Sequence, residues 1–412
     1  MNTNRFALFF SVPGLRPAAL SLLLAAVAAS LGAAETLVSP DGAVKAAFDL
    51  RDGQPVCSLA YQGAPVLEPA PLGLRLQDAF RGGWKIADVA RDSVSTEWRP
   101  VWGERGLIPD RYASLTVTLK EKDPRGRALV LELRAYNEGF ALRYRLPSAA
   151  AWQIEGEATE FRFPQGSVAF AIKGTEDTFP QDPIPLSDLP PRVLTPFTVR
   201  LPDGKYASVL EAFVVGYPRC LIEKRAAGAV GIALHGKAEG RGSFTTPWRA
   251  VLLGDNEARL IEHEDLVLNL NPPCALADTS WIRPGLTISD AGNCLLNTRD
   301  LERVVGLTYT NGIRYLQIDW GWYGTEWTWN DADRKKYLEV NPSWAGELGW
   351  VTNTYADPYT VAKGRVPYRP DWKDSHTVVD LDLPRLVKFA RERNVGVCLY
   401  MHGDVLRAHD MD

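Results

Sequence analysis

The chain has 412 residues, of which 46% are hydrophobic and 23% charged, proportions typical of a soluble globular protein and not of a disordered one. Its 46 Lys and Arg residues nearly balance its 50 Asp and Glu residues, so the formal net charge is −4. A nucleic-acid-binding protein usually has a basic domain or stripe, and this charge balance gives no sign of one. We therefore expect no nucleic acid partner.

The first 34 residues have the layout of a secretory signal peptide. Two arginines precede or flank an apolar run over 18–29, and small residues follow at 32–34. The run is too short to span a bilayer comfortably, and cleavage is expected before Glu35. Pro17 and the lack of a polar face disfavour the alternative, a buried N-terminal helix. We therefore expect an exported protein, periplasmic or secreted, with no transmembrane segment after cleavage.

From residue 37 to about 273 the hydrophobic pattern has a period of two. Apolar residues alternate with others over 44–50 and again over 115–119, as in half-buried antiparallel strands. A turn at 137–139 ends in glycine and predicts a hairpin between two further runs. No amphipathic helix is expected in this region. Antiparallel sheets need a second sheet over their apolar faces, so residues 35–280 are predicted to form a large β-sandwich domain.

After Pro273 the pattern becomes one of helices and strands. A first helix is expected to begin at a cap, Asn297 or Thr298, and to end at Asn311-Gly312 before a short apolar strand over 313–318. Its predicted apolar face consists of Leu301, Val304, Val305 and Tyr309.

A second helix is expected to begin at a cap, Asp380 or Asp382, and to end near Asn394. An apolar strand over 395–401 follows it. The predicted apolar face of this helix consists of Leu383, Leu386, Val387 and Ala390. A helix followed by a buried strand, twice, predicts an α/β arrangement with a parallel sheet over 281–412.

The length of this second region limits what it can be. A (β/α)₈ barrel needs about 250 residues, whereas about 138 follow Cys274 and hold two candidate strands. Either the region is a small α/β appendage, or the chain is the N-terminal part of a longer enzyme. We favour the second interpretation. The predicted fold class is therefore mainly β, with an N-terminal β-supersandwich followed by the first, incomplete part of a (β/α)₈ barrel.

Carboxylates and aromatic residues are the remaining candidates for chemistry, since the chain has no nucleophile elbow, zinc-protease motif, P-loop or dinucleotide-binding motif. Seven of the thirteen tryptophans, Trp320 and Trp322 among them, fall between residues 320 and 372. Indole rings suit the apolar faces of sugars, although a long loop could also use them as a small core of its own.

Three polar residues follow the predicted parallel strands. Asp319 ends the first strand, where a carboxylate could accept hydrogen bonds from sugar hydroxyls or cap the following loop. Asp404 follows the second strand and could act as base or nucleophile, with His402 orienting the sugar or the carboxylate. The alternative for Asp404 is the N-cap of a short helix.

Several segments together resemble glycoside hydrolase family 97. They occur in that family's order and spacing over about 37–280, and the resemblance continues more weakly through Asp319 to Met401. The segments are Ser39-Pro40-Asp41-Gly42, Pro71-Leu72-Gly73-Leu74, Arg99-Pro100-Val101-Trp102-Gly103-Glu104, Arg134-Ala135-Tyr136-Asn137-Glu138-Gly139, Leu142-Arg143-Tyr144, Glu211-Ala212, Thr246-Pro247-Trp248-Arg249 and Asn269-Leu270-Asn271-Pro272-Pro273-Cys274.

The resemblance implies a β-supersandwich, a (β/α)₈ barrel and a small C-terminal β domain, in exo-acting α-glucosidases and α-galactosidases that cleave oligosaccharides. It also implies Ca²⁺ near the catalytic carboxylates, with Glu176 as the ligand from the sandwich. In the inverting branch of the family the base that follows the second barrel strand is a Glu. Asp404 occupies the corresponding position in this chain. Asp319, Trp320, Trp322 and His402 are the residues expected to contact substrate.

The sequence thus predicts an exo-acting α-glycoside hydrolase of α-glucosidase or α-galactosidase type, present here as an inactive N-terminal fragment. The alternative is a non-catalytic carbohydrate-binding β-sandwich protein with an α/β remnant.

Overall fold

The computed structural model describes residues 34–147, 150–172, 182–226, 228–289, 297–319, 322 and 381–400. The chain divides into two compact units, Met1–Leu276 and Ala277–Asp412, and each is described by itself. The predicted signal peptide lies outside the described residues except for Ala34, so it stays a prediction. Within the described ranges no helix is long and apolar enough to cross a membrane.

The first unit consists mainly of strands. Its first twelve strands are β1 (Glu35–Val38), β2 (Val44–Arg51), β3 (Gln54–Tyr61), β4 (Ala64–Pro71), β5 (Leu74–Leu76), β6 (Trp84–Trp98), β7 (Ile108–Glu121), β8 (Ala128–Tyr136), β9 (Gly139–Leu146), β10 (Ala151–Glu157), β11 (Glu160–Arg162) and β12 (Val168–Phe170). The later elements are β13 (Ile184–Pro185), a 3₁₀ turn (Leu186–Asp188), β14 (Arg192–Val193), β15 (Phe197–Arg200), β16 (Tyr206–Ala212), β17 (Cys220–Lys224), β18 (Ala229–Leu234), β19 (Ala238–Arg241), β20 (Phe244–Thr245), β21 (Trp248–Gly254), α1 (Glu257–Glu262) and α2 (Asp265–Asn269).

Two large antiparallel sheets organise these strands. The eight-stranded sheet has the order β1-β2-β3-β4-β11-β18-β17-β14. The ten-stranded sheet runs β13-β12-β15-β16-β21-β9-β8-β7-β6, with β20 beside β9, and a smaller sheet has the order β19-β10-β5. One cluster of buried apolar side chains draws on both large sheets, which therefore pack face to face. The prediction of a mainly β fold is confirmed.

The predicted hairpin is formed by β8 and β9. Tyr136 pairs with Gly139 across the turn, and the register continues from there to Val130 and Arg145. Gly139 has a φ of 157°, and a Cβ at this position would lie 2.2 Å from the carbonyl oxygen of Val251 on β21. Glycine is required here because the neighbouring strand approaches the backbone too closely for any side chain.

Two short helices correct the expectation that the first region has none. In α1 the Asn256 side chain accepts a hydrogen bond from the Arg259 N–H, which is an N-cap. From α2, Leu266 and Leu270 join a second buried cluster on the outer face of the ten-stranded sheet. These helices have only six and five residues, too few for a helical hydrophobic period to stand out from the strand pattern.

The second unit has a parallel sheet. Its described elements are β22 (Thr287–Ser289), α3 (Thr298–Thr310), β23 (Tyr315–Ile318), α4 (Leu383–Arg391) and β24 (Gly396–Leu399). The strand order is β22-β23-β24, and both neighbouring pairs are parallel. Both predicted helices and both predicted strands are present. The expected number of strands was too low, because β22 has only three residues and none of them is fully buried.

The predicted caps of the helices are confirmed in their details. The Asn297 side chain accepts a hydrogen bond from the Asp300 N–H at 2.9 Å, and that of Asp382 accepts one from the Arg385 N–H at 3.0 Å. The predicted apolar faces are wrong at one position each, since Tyr309 is 57% exposed and Val387 42% exposed. Neither residue belongs to the small core of this unit.

Candidate functional site

The carboxyl ends of β22, β23 and β24 form one edge of the parallel sheet, and this edge is the first candidate site. In the register, Ser289 pairs with Gln317, and Ile318 pairs with Leu399. Asp319 directly follows Ile318 at that edge. In parallel α/β folds, loops at this end of the strands carry ligand-binding and catalytic residues. The structure therefore brings Asp319 to the edge where the sequence predicted it.

The sequence around α3 fixes where β23 begins. Asn311 ends the helix, with its N–H donating to the Leu307 carbonyl, and Gly312 follows with a φ of 66°. A glycine in the left-handed region after a helix reverses the chain at little cost. Leu316 and Ile318 then enter the core of the unit, fully buried. This packing holds the strand end that carries Asp319.

Trp322 is part of that core. Its indole is only 3% exposed and belongs to the same buried cluster as Leu316, Ile318 and Leu386. The indole N–H donates to the Tyr400 carbonyl at 2.7 Å, which ties the segments after β23 and β24 together. In this arrangement Trp322 supports the strand ends, and its contact with sugar stays a prediction.

The other predicted site residues lie outside the described residues. These are Trp320, His402, Asp404 and Glu176. Among the described residues, no group of three or more His, Cys, Asp or Glu side chains could hold a metal ion. The calcium site therefore stays a prediction that depends on Glu176.

A buried ionic network crosses the sandwich and was missed by the sequence reasoning. Arg249 on β21 donates from Nη2 to Glu157 Oε1 at 2.6 Å and from Nη1 to Glu211 Oε2 at 2.7 Å. The side chains of Arg249 and Glu157 are each 1% exposed. Burial acts to lower the pKa of the guanidinium, but the charges and hydrogen bonds of Glu157 and its other neighbours, Glu211 among them, together outweigh it, and the pKa lies above its ordinary value.

Two tyrosines complete this network. The Tyr217 hydroxyl donates to Glu157 Oε1 at 3.2 Å, and the Tyr144 hydroxyl lies 2.7 Å from Thr159 Oγ1. Burial raises the pKa of both phenols well above the usual range, so both stay neutral. Gly73 N–H also donates to the Tyr144 hydroxyl at 2.8 Å. Every group is engaged with another, so the network joins strands and leaves no acid or base for catalysis.

A cleft on the outer face of the ten-stranded sheet, here called the Trp248 cleft, has a volume of about 430 Å³. The Arg134 guanidinium carbon lies 4.3 Å from the Tyr112 ring centre and 4.7 Å from that of Trp248. The Arg143 guanidinium lies 4.2 Å above the same indole. Burial raises the pKa of the neighbouring Asp110, against the opposing charge of Arg134. The guanidinium groups and aromatic rings stack on one another along this face of the sheet.

A larger cleft of about 770 Å³, here called the Trp152 cleft, lies beside the small sheet of β5, β10 and β19. Its walls include Trp152 and Phe80, together with the polar residues Gln77, Gln153 and Arg241. A volume in this range is typical of a small-molecule site, about 300–1,000 Å³. The sequence reasoning missed this cleft because its residues come from strands that are distant in the chain.

The motif segments of the sequence analysis meet in these sites. In Thr246-Pro247-Trp248-Arg249, successive side chains of β21 point to opposite faces, so Trp248 reaches the outer cleft and Arg249 the buried network. A Trp-Arg pair in a strand of otherwise apolar residues was the signal that could have identified both.

Two curated proteins are similar to the chain over most of its length. A probable retaining alpha-galactosidase from Streptomyces bingchenggensis is 26% identical over 373 residues, covering 86% of this chain and 50% of that protein. A retaining alpha-galactosidase from Bacteroides thetaiotaomicron is 22% identical over 402 residues, covering 89% of this chain and 55% of that protein. The chain thus spans about half the length of the curated relatives it matches.

Solved structures are similar in fold. A glycoside hydrolase family 97 enzyme from Pseudoalteromonas sp. strain K8, in complex with panose, superposes with a TM-score of 0.71 at 25% identity, covering 88% of this chain and 53% of that one. A beta-arabinopyranosidase superposes with a TM-score of 0.66 at 18% identity, covering 89% and 55%, which shows the fold alone. The model of the glycosyl-hydrolase 97 N-terminal domain matches residues 37–273, more than half of the chain, so this protein belongs to glycoside hydrolase family 97.

Proposed function

We propose that this chain is the N-terminal portion of an exo-acting α-glycoside hydrolase, of α-galactosidase or α-glucosidase type, that releases monosaccharides from oligosaccharides. One observation carries the proposal: a family 97 sandwich is followed in the chain by parallel strands with Asp319 at a carboxyl end. In this proposal β22, β23 and β24 are the first strands of a (β/α)₈ barrel.

The similar proteins support an α-linked substrate. One curated relative carries the name retaining alpha-galactosidase and the other the name probable retaining alpha-galactosidase, and the Pseudoalteromonas enzyme has structures with panose and with acarbose. An α-galactoside and an α-glucoside are therefore both candidate substrates for the complete enzyme. Export to the periplasm or the medium, as the first 34 residues predict, suits an enzyme that acts on oligosaccharides outside the cytoplasm.

The proposed roles follow from the chemistry of glycoside hydrolysis. The reaction needs two carboxyl groups across the scissile bond, about 5–10 Å apart. Asp404 would be one of them, as nucleophile or base, while Asp319 and His402 would bind sugar hydroxyls and Trp320 its apolar face. The buried Trp322 would support these residues from the core of the unit. Among the strand-end acids that the sequence offers, only Asp404 has a position consistent with that role, so we propose that the chain alone does not turn over substrate.

Calcium is proposed as a cofactor of the complete enzyme. Ca²⁺ takes about 6–8 oxygen ligands, and the described residues contain no cluster that could supply them. Glu176 would therefore contribute one carboxylate to a site whose other ligands come from elsewhere. A bound Ca²⁺ would act as a fixed positive charge beside the catalytic carboxylates.

The test is an assay of the purified chain on nitrophenyl α-glucoside and nitrophenyl α-galactoside. We expect no turnover above the uncatalysed background, and clear turnover would contradict the proposed division of the catalytic groups. For the calcium role, we expect Ca²⁺ to raise the melting temperature of the complete enzyme and Glu176→Gln to abolish most of that rise.

The alternative, a non-catalytic carbohydrate-binding protein, is favoured by one feature, the Trp152 cleft. The reading frame after Asp412 distinguishes the two. Further βα units with acids at their strand ends support the enzyme, whereas a stop codon supports the binding protein.

A further inference from the structure

The loop over 213–219, here called the Phe213 loop, carries the chain from one large sheet of the first unit to the other. It follows β16 of the ten-stranded sheet and ends where β17 of the eight-stranded sheet begins. Phe213 has a φ of 55°, in the left-handed region that is unfavourable for a side chain of this size. Elsewhere in the described ranges, the non-glycine residues with positive φ are polar and lie in short turns: Asp52, Gln62 and Asn394. The backbone at Phe213 is therefore strained.

Apolar burial does not account for this strained conformation. Phe213, Val214, Val215 and Gly216 are all exposed. Because hydrophobic stabilisation is proportional to the apolar area removed from water, these side chains contribute little to holding the loop. Strained backbone persists only where the surrounding structure over-determines it. The contacts that hold the loop must therefore be sought at its ends and at its buried residue, Tyr217.

Three contacts join the loop to the buried ions Arg249, Glu157 and Glu211, here called the Arg249 network. Near the end of β16, Glu211 Oε2 accepts a hydrogen bond from Arg249 Nη1 at 2.7 Å. The same oxygen accepts the N–H of Cys220, the first residue after the loop, at 3.1 Å. Between these ends the Tyr217 hydroxyl donates to Glu157 Oε1 at 3.2 Å. The Glu211 carboxylate thus links both ends of the loop to one buried cation.

The loop also forms part of the Trp248 cleft. Phe213 lines that cleft, and it directly follows Ala212, which pairs with Trp248 in the register of β16 and β21. We propose that the Arg249 network holds the Phe213 loop in its strained conformation and thereby fixes one wall of the Trp248 cleft. When these contacts are lost, the backbone at Phe213 relaxes and this wall moves away from the cleft. The proposal requires none of the predicted catalytic residues and does not depend on the proposed hydrolase activity.

Thiol labelling of the full chain tests this coupling, with Cys220 as the reporter at the end of the loop. Cys220 is buried, and burial raises the pKa of its thiol to about 12. Cys57 on β3 is also buried, with its pKa raised to about 12 for the same reason, so it reports opening of the whole unit. Iodoacetamide labelling followed by peptide mass spectrometry measures each thiol separately. Glu211→Gln removes the charge and keeps the shape, and we expect it to speed labelling of Cys220 about tenfold while Cys57 stays unchanged.

Substitutions at Phe213 test the role of the strain. Phe213→Ala and Phe213→Gly both remove the ring, but only glycine adopts the left-handed region freely. Glu211→Gln should therefore speed Cys220 labelling about tenfold in the alanine background and about threefold at most in the glycine background. Tyr217→Phe removes one hydroxyl donor, should also speed Cys220 labelling selectively, and decides the matter if Glu211→Gln fails to fold. The proposal is overturned if Cys57 labelling rises together with that of Cys220, if Cys220 responds to neither variant, or if the two Phe213 backgrounds respond alike.

Discussion

The two units of the chain bury their side chains in different ways. In the first unit a continuous apolar core draws on both large sheets, and an ionic network runs through it. In the second unit the described core is small and consists of Leu301, Val304, Val305, Leu316, Ile318, Trp322, Leu381, Leu386, Ala390 and Val395. At the edge of its sheet Leu399 and Tyr400 are 40% and 41% exposed.

This difference reflects what each type of sheet requires. Two antiparallel sheets that pack face to face cover each other's apolar faces, and short hairpins can connect their strands. Parallel sheets are normally covered on both faces, which takes more helices than α3 and α4. We therefore expect the first unit to hold most of the stability of the chain.

The largest effect is expected in limited proteolysis of the full chain. A protease should leave a resistant core that begins near Glu35 and ends near 273–281, because the described part of the second unit has few buried side chains to oppose local opening. Mass spectrometry of the products locates the ends. Equal protection through Met401 would contradict the contrast between the units.

Arg249→Met should be the most damaging single change in the first unit. It leaves Glu157 and Glu211 as buried or partly buried carboxylates without their cation, which typically costs about 3–5 kcal/mol of unfolding free energy. Urea denaturation of the full chain, followed through the transition of the first unit, measures the loss.

Arg192→Met is the matched control for this variant. Arg192 forms an ion pair with Glu223 on the surface, and its side chain is 59% exposed. Exposed pairs contribute only about 0–1 kcal/mol. Similar losses for both variants would mean that the buried network adds nothing beyond an ordinary surface pair.

The pH dependence of the first unit should follow Glu121. Its side chain is inaccessible to solvent, and hydrogen bonds from Arg127 hold the pKa of this carboxyl below its ordinary value. A depressed pKa in the folded state stabilises the fold above the unfolded value of about 4.3. That contribution is lost as the pH falls through the lower, folded-state pKa.

Unfolding free energies between pH 7 and pH 3 test this assignment. Glu121→Gln should be less stable than the wild type at pH 7 and should lose less on acidification. Glu155→Gln, at a surface pair with Lys237, should keep the wild-type slope. If Glu121→Gln keeps that slope as well, the acid sensitivity comes from other carboxylates.

The sequence predicted elements wherever the signal was local. Alternation over 44–50 predicted β2, and Asn297 with Asn311-Gly312 marked both ends of α3, because caps and glycine turns act on neighbouring backbone. The fold family also followed from motif order. The sequence could not predict β22, because three residues that are all at least partly exposed are too few to show a hydrophobic period.

The sites were harder to predict from the sequence, because the residues that meet in them are distant in the chain. Arg249 lies 92 residues from Glu157 and 38 from Glu211, and a strand pattern alone would assign an arginine to the surface. The Trp152 cleft likewise joins the turn before β8 with β10 and β19. Asp319 was found because a strand end is a local feature, and its edge of the sheet follows from parallel pairing.

The smallest expected effect is local to the second unit. Asn297→Ala removes the side-chain acceptor of the Asp300 N–H, and losing an N-cap of this kind costs about 1 kcal/mol. Because the core around α3 is small, this loss should appear as faster amide hydrogen exchange in α3 and not in the β8–β9 hairpin. Asn297→Asp should keep the protection, since Asp caps equally well. Arg299→Ala, at an exposed position of the same turn, should leave exchange unchanged. Faster exchange in both regions would instead mean that the two units open together, contrary to the independence that their separate cores predict.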